Sequence, residues 1–313
     1  MPGVSRLDSL KGIAPTLVGA AKRSSGGPVR DPMGREDIDS DRPLVTIVTP
    51  CRNSQAYLEE TINSVARQTY PNIEYIVVDG GSTDGTLDII GRYEDVISRW
   101  VSEPDNGQAD GLRKGFSMGR GEVLGWINSD DLYPADAVQV AVSAMHDSGE
   151  DVVYGNRVLI DSTGRRVGER RLSPFLPFFS RRGVLYGGFG IYQPAAFWTR
   201  ELYDRAGGID PTYHFRMDTE MITRFVMAGA TFKFLRSDLV RFRIHPNSKT
   251  SSIPDVARRE QERIARGLPP RTRAYKSLVK FACRAWKVLY QLRDTQGRYL
   301  VRRALDKEYR FVP

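Results

Sequence analysis

From Leu44 onward the chain alternates short apolar runs with stretches whose apolar residues recur at helical spacing. Leu44-Val45-Thr46-Ile47-Val48-Thr49 is a β-branched run closed by Pro50, which predicts a buried strand. Leu58, Ile62 and Val65 then predict a helix, with Ser54 placed to cap it. Ile73–Val78 predicts a second buried strand ending in Asp79, and the loop Gly80–Gly85 leads into a helix over Thr86–Arg92. Ile97–Val101 reads as a short strand, Gln108–Met118 as a helix with Ala109, Leu112 and Phe116 inward, and Val123–Ile127 as another strand. Pro134 marks the approach to a further helix continuing through Ala137–Met145. This β-α-β rhythm predicts an α/β fold with a mainly parallel, Rossmann-like sheet, helices on both faces and right-handed connections.

Beyond Val152 the pattern changes. A hairpin is expected around Ser162-Thr163-Gly164, an aromatic and Pro-rich stretch covers Leu172–Phe189, and Ala195–Thr199 reads as a strand. A helix over Thr219–Met227 precedes two more strands near Phe232–Leu235 and Leu239–Ile244. Ahead of all this, residues 1–42 hold a short helical pattern (Leu7, Leu10, Ile13) and a polar, Gly- and Pro-containing stretch that reads as a flexible segment. The expected organisation is thus a flexible 1–42, an α/β domain over 43–251, and a tail over 252–313.

Charge changes the picture only for the tail. The 313 residues carry a net charge of +8, but Asp255–Pro313 holds 16 Lys/Arg against 6 Asp/Glu, and the rest holds 30 against 32. A basic-surface reading therefore applies to the tail, and no nucleic-acid partner is expected. Two cysteines, Cys51 and Cys283, show no paired or metal-ligand spacing, which argues against a disulfide scaffold or structural zinc site and fits a reducing compartment. Apolar stretches fall short of the roughly 20 residues that a membrane-spanning helix needs, so a cytoplasmic location is expected.

The residues with chemical promise stand at strand ends, where doubly wound sheets bind ligands. Asn128-Ser129-Asp130-Asp131 places two adjacent carboxylates there, which require solvation or a cation; hard oxygen ligands favour Mg²⁺ or Mn²⁺, completed by substrate phosphates. Asp79 opens a Gly-rich loop, where a carboxylate can accept hydrogen bonds from a ribose or base; the plainer alternative is a turn, with Asp84 capping the next helix. Neither a phosphate-binding Gly-x-x-x-x-Gly-Lys loop nor a dinucleotide fingerprint after the first strand is present, which weighs against hydride transfer.

Taken in order, Val45–Pro50, Val77-Val78-Asp79-Gly80-Gly81-Ser82-Thr83-Asp84-Gly85-Thr86 and Asn128-Ser129-Asp130-Asp131 resemble family 2 of the inverting glycosyltransferases, which has the GT-A fold. The block Ser102–Gly115 is similar to a subgroup that builds bacterial surface polysaccharides, and the likeness extends over Leu44–Ser251. The resemblance implies transfer of one sugar from a nucleotide-diphosphate sugar to a hydroxyl of a glycan or lipid-linked acceptor. It puts the donor at Pro50, Arg52, Asp79, Asp105, Asp110, Lys114 and Asn128. A divalent metal, Mn²⁺ or Mg²⁺, is implied at Asp130, with Asp131 and His245 as further ligands. Asn128 departs from the family's Asp-x-Asp motif at its first acid. Asp218, in Arg216-Met217-Asp218-Thr219-Glu220, matches the family's catalytic base, with Met217 departing from the usual acid before it; Gln193 matches an acceptor-side position. The processive Gln-x-x-Arg-Trp signature is absent, which favours single-sugar addition.

Two other readings stand beside this one. A metal-dependent nucleotidyltransferase would combine the same sheet with carboxylate-bound Mg²⁺ but would need a basic Gly-rich loop after the first strand, and Pro50–Ser54 has no glycine. An inactive sugar-nucleotide-binding module would account for Asn128 and Met217. In the tail, Arg273, Lys276, Lys280, Arg284 and Lys287 recur along one helical face beside an apolar face with Trp286 and Tyr290, the pattern of a helix lying in a membrane interface. The expected location is peripheral, on the inner face of the cytoplasmic membrane.

Overall fold

A computed structural model describes residues 42–170, 191–246 and 254–268, together with Phe281 and Ala285 as isolated helical residues. The expectations for the N-terminal segment, for Leu172–Phe189, for the residues after Pro246 as far as Ser251, and for the basic helix of the tail fall outside the described residues.

Strands β1 (Val45–Cys51), β2 (Ile73–Asp79), β3 (Arg99–Ser102) and β4 (Val123–Trp126) lie in the order β3-β2-β1-β4 and pair in parallel. They are linked through α1 (Leu58–Ala66), α2 (Thr86–Arg92) and α3 (Gln108–Met118), and α4 (Ala137–Ser148) follows β4. The sheet continues through β7 (Ala196–Thr199), antiparallel to both β4 and β5 (Val152–Ile160). β5 also pairs with the antiparallel β6 (Arg166–Arg170) and the parallel β8 (Phe232–Arg243). Helices α5 (Arg200–Arg205), α6 (Met217–Met227) and α7 (Pro254–Gly267) complete the described chain. The mainly parallel α/β sheet expected from the rhythm of the sequence is therefore present.

Buried strands read as continuous apolar runs because both faces are covered. In β1 and β2, Ile47, Tyr75 and Val77 enter one core layer with Leu58, Ile62 and Val65 of α1. Val48, Ile76 and Val78 enter the opposite layer with Leu112 and Phe116 of α3 and Met221 and Phe225 of α6. Alternation across the sheet sends neighbouring residues to opposite cores, and the one charged residue within β2 short of its end, Glu74, is buried only with partners at Thr46 and Arg120.

Three expectations need correction. Pro50 does not end the first strand: β1 runs on to Cys51, with Pro50 opposite Val78. β1 and β4 part after Val48 and Trp126, where Ile127 N donates to Val48 O at 3.1 Å. Residue 50 faces the same side as residue 48, so proline's missing N–H falls where no strand remains to accept it. Ser54 does not cap α1, which starts behind Tyr57; its hydroxyl instead meets Ser129 Oγ at 2.8 Å. The two strands expected at 232–235 and 239–244 are the single β8, whose register against β5 shifts at Asn156. A Cβ on Gly155 would come within 2.6 Å of Ser237 O, so the irregular middle of β8 passes directly over that glycine.

Candidate active site

The loops that follow β1 and β2 are laced together. Asn53 N donates to Ser82 Oγ (2.7 Å), Asn53 Oδ1 accepts from Thr83 N (2.9 Å), and Gln55 N donates to Asp84 Oδ2 (3.1 Å). Asn53 has φ 50°, a left-handed conformation that asparagine tolerates. Arg52 is exposed at the rim of this lacing, and Pro50 is buried beneath it. Asp79 is fully buried, and its carboxylate accepts from Gly81 N (3.1 Å), Ser82 N (2.9 Å), Ser102 Oγ (2.7 Å) and Ser82 Oγ. The Gly-rich loop thus wraps its own aspartate. Asp84 bonds Thr86 N (3.0 Å), one turn element ahead of α2.

Asp105 sits between two backbones. A Cβ on Gly80 would approach its carboxylate to 2.7 Å and one on Gly111 to 3.1 Å, so these glycines make the room it occupies. Asp105 Oδ1 accepts from Gly107 N at 2.9 Å. One turn on, Asp110 accepts from Asn106 N (3.2 Å) and lies 3.6 Å from Lys114 Nζ, which also meets Glu103 at 3.0 Å. Burial alone would lower the Lys114 pKa; the bond to Glu103 and the charges of Asp110, Glu103 and Asp105 outweigh it and hold the ammonium above its ordinary range. Donor-side candidates Asp105, Asp110 and Lys114 are therefore gathered at the N-terminal half of α3.

The Asn128–Asp131 turn closes the other side. Asn128 Oδ1 accepts from Gln108 Nε2 (2.9 Å) and Trp126 Nε1 (3.1 Å), and its Nδ2 donates to Asp131 Oδ2 (3.0 Å). Asp131 is fully buried and also accepts from Arg243 N at 2.9 Å. Burial, then the neighbouring Asp130 charge, pushes its carboxyl well above the ordinary range. Asp131 thus faces inward and braces the turn. Asp130 faces outward, its side chain 29% exposed, and Oδ2 lies 2.9 Å from His245 Nε2. The pairing of Asp130 with His245 brings together two residues, 115 positions apart in the chain, that were expected to share an ion.

Arg243 makes that meeting possible. Its guanidinium is buried, with Nε donating to Asp130 O (2.9 Å), Nη1 to Ser162 O (3.1 Å) and Nη2 to Glu60 (2.8 Å), and it lies 4.6 Å above the Tyr57 ring. One side chain joins β8, the 130 turn, the 161–164 hairpin and α1. Sequence reading passes over it, because an arginine on an alternating strand looks like a solvent-facing residue. Gln193, buried ahead of β7, donates to Trp126 O at 2.7 Å and supports the end of β4.

Asp218 stands in the first turn of α6, half-buried, with Oδ1 accepting from Thr219 N (2.6 Å) and Thr219 Oγ1 (3.2 Å). The protein around it raises its pKa; the Thr219 bonds and the Arg216 charge oppose that without cancelling it. Met217 is 3% exposed and packs in the core layer under α3, which explains why an apolar residue stands where an acid was expected. The loop ahead of Asp218 reaches the donor side: His214 Nδ1 lies 3.3 Å from where a Cβ on Gly107 would be.

A carboxylate oxygen and an imidazole nitrogen at the end of β4 form a donor pair that fits a divalent cation such as Mn²⁺. Among the described residues no cluster of three His, Cys, Asp or Glu side chains gathers there, so bound phosphate oxygens would have to complete the shell.

Comparison with known proteins gives this geometry its context. The profile described as glycosyl transferase family 2 matches residues 46–207. A Bacillus subtilis glycosyltransferase named for teichuronic acid biosynthesis, TuaG, is 35% identical over 107 residues, which cover 33% of this chain and 42% of that protein. Among solved structures, Staphylococcus aureus TarS 1-349 in complex with UDP-GlcNAc matches with a TM-score of 0.59 at 17% identity, over 80% of this chain and 76% of that one. Against two other TarS structures the chain spans 60% and 53% of the solved chain. The mannosyltransferase PcManGT of Pyrobaculum calidifontis, in complex with GDP-Man and Mn²⁺, matches with a TM-score of 0.55 at 20% identity, over 88% and 81% of the two chains. A shared fold with such enzymes and a family profile spanning half the chain decide the matter against a nucleotidyltransferase: this chain is a glycosyltransferase of family 2, with the GT-A fold and relatives in surface-polysaccharide synthesis.

Proposed function

We propose that this enzyme transfers a single sugar, with inversion, from a nucleotide-diphosphate sugar to a hydroxyl of a glycan or lipid-linked acceptor in surface-polysaccharide synthesis. The observation that carries the proposal is the meeting of Asp130 with His245 beyond the end of β4, while Asp218 opens α6 directly after a loop that touches the N-terminus of α3. In this reading the phosphate-binding groups stand at the C-terminal end of β4 and the proton acceptor at the start of α6.

In this reading the nucleoside lies against the laced loops around Arg52 and Asp79, and the sugar lies toward Asp105, Asp110 and Lys114. Asp130 and His245 would hold a divalent cation against the diphosphate, where it supplies Lewis-acid stabilisation of the leaving group. Asp218 takes the proton of the acceptor hydroxyl. That oxygen bonds to the anomeric carbon from the face opposite the diphosphate, and the carbon–oxygen bond to the nucleoside diphosphate breaks with its electron pair leaving on phosphate oxygen. A raised pKa makes Asp218 a stronger base than an ordinary carboxylate.

A panel of sugar nucleotides including UDP-GlcNAc and GDP-mannose, scored for nucleoside diphosphate release and for the anomeric configuration of the product, tests the proposal. Retention at the anomeric carbon would contradict it. Loss of binding to all nucleotides would contradict it more deeply.

A further inference from the structure

Glu260 lies on α7, beyond the family profile, yet it reaches back to the loop that carries Asp218. Glu260 is 8% exposed, and its carboxylate accepts three consecutive backbone N–H groups: Oε1 from His214 (2.6 Å), and Oε2 from Phe215 (3.0 Å) and Arg216 (2.7 Å). Charge-assisted bonds of this kind are roughly twice as strong as neutral ones, and three on one buried carboxylate fix the course of the chain into the first turn of α6.

The rest of α7 is built to deliver that carboxylate. Ala257, Ile264 and Leu268 are buried at helical spacing on either side of Glu260, and Ile264 enters the same core layer as Met217. Arg263 lies 4.3 Å above the Tyr213 ring and 3.5 Å from Asp210 Oδ2. A glutamate within an apolar helical stripe costs desolvation unless its bonds are fully made, and here its partners are the amides just ahead of Asp218. Through His214 the same loop rests on Gly107, at the start of α3.

We infer that Glu260 is a positioning residue for sugar transfer: by clamping the amides of residues 214–216 it fixes Asp218 relative to the donor side of the site. The inference rests on the reading of Asp218 as the base. It also makes α7 part of the catalytic unit.

Amide hydrogen exchange and kinetics on the full chain test this, using Glu260→Gln, Glu260→Asp and Asp218→Asn. In Glu260→Gln, which keeps the shape of the side chain, the amides of 214–216 should exchange roughly 10- to 100-fold faster. Asp218→Asn should leave them at the wild-type rate. With UDP-GlcNAc and GDP-mannose as donors, Glu260→Gln should lower kcat by about 10- to 100-fold with donor KM unchanged. Its acidic limb should move toward the ordinary carboxylate range as water reaches Asp218, and Glu260→Asp should recover part of kcat. Unchanged exchange in Glu260→Gln overturns the inference, as does faster exchange with wild-type kcat and pH profile. Full turnover by Asp218→Asn would instead remove the base assignment and the positioning role with it, whatever the exchange at 214–216. If neither sugar nucleotide is consumed, the kinetics are run with whichever donor the wider panel identifies, and unchanged exchange at 214–216 still overturns the inference.

Discussion

The two sides of the site are built differently. On the donor side, Asp79, Asp105, Asp110 and Lys114 follow one another along two β-α units, and each is held by residues a few positions away or by the adjoining loop. On the other side, the partners lie far off in the chain: Asp130 is met by Arg243 and His245, 113 and 115 residues away, and the loop before Asp218 is held by Glu260. A local site survives many single changes because each loop folds with its own strand. A site assembled at long range fails when one remote side chain is lost.

The largest expected effect tests whether the long-range side carries the chemistry. Asp218→Asn should reduce turnover by about 10²- to 10⁴-fold, the usual contribution of a general base, with nucleotide binding retained. In the wild type, activity should fall as pH drops through a pKa above the ordinary carboxylate range. Stability should move the other way. With a folded pKa above the unfolded one, the native state binds more protons over that window, so Asp218 favours the fold below it and is a liability at neutral pH. Asp218→Asn should therefore melt higher than wild type at pH 7, and the difference should vanish in acid. A lower melting point at pH 7 would mean that its Thr219 bonds matter more than its burial.

Next in size is Arg243→Met. Its partner Glu60 is 51% exposed and returns to water, so the cost falls on the acceptors left without a donor, about 1–3 kcal/mol each. The methionine abandons the carbonyls of Asp130, Asp161 and Ser162. Urea unfolding should show the loss, and Mn²⁺ should bind more weakly at Asp130 and His245. A comparable loss from Arg92→Ala, whose pair with Glu59 is exposed on both sides, would erase the distinction drawn between the two regions.

That distinction also explains what the sequence shows and what it hides. Helices α2 and α3 fall where their periodicity places them, because the signals are local: Thr86 and Gln108 open amphipathic turns, and Arg92 and Met118 close them. Asp130 and Asp218 are legible as motif positions, and their surroundings are not. Nothing near Asp131 announces that its carboxylate is buried against Arg243 N, and nothing near Glu260 announces three loop amides. Pro50 misleads for the same reason, since its cost depends on where β4 leaves the sheet.

Asn128→Asp should have a smaller but informative effect. It restores the acid that the family motif carries, and activity would rise if the asparagine were merely a weakened ligand. In this structure the amide donates to the buried Asp131 carboxylate, while its carbonyl receives Trp126 and Gln108. A second carboxylate there would face Asp131 with no donor between them, a loss of about 1–3 kcal/mol. Lower stability without a gain in turnover is expected from thermal melts and donor-consumption assays.

The smallest effects come from a matched pair of glycines on the donor side. Gly91 on α2 has open space where a Cβ would be, so Gly91→Ala should stabilise the enzyme by roughly 0.5–1 kcal/mol through helix propensity alone. Gly111 on α3 gains the same propensity, but its new Cβ would press to 3.1 Å against Asp105 Oδ2 and to 3.5 Å against Val78. Asp105 is held by Gly107 N on one side and by the Gly80 backbone on the other, so it has little freedom to give way. Gly111→Ala should therefore lie within about 1 kcal/mol of wild type in stability, its helix gain offset by the contact. Its nucleotide-sugar affinity should weaken, while Gly91→Ala binds as wild type does. If Gly111→Ala stabilises as much as Gly91→Ala and binds nucleotide normally, Asp105 moves freely and the donor side is looser than its lacing suggests.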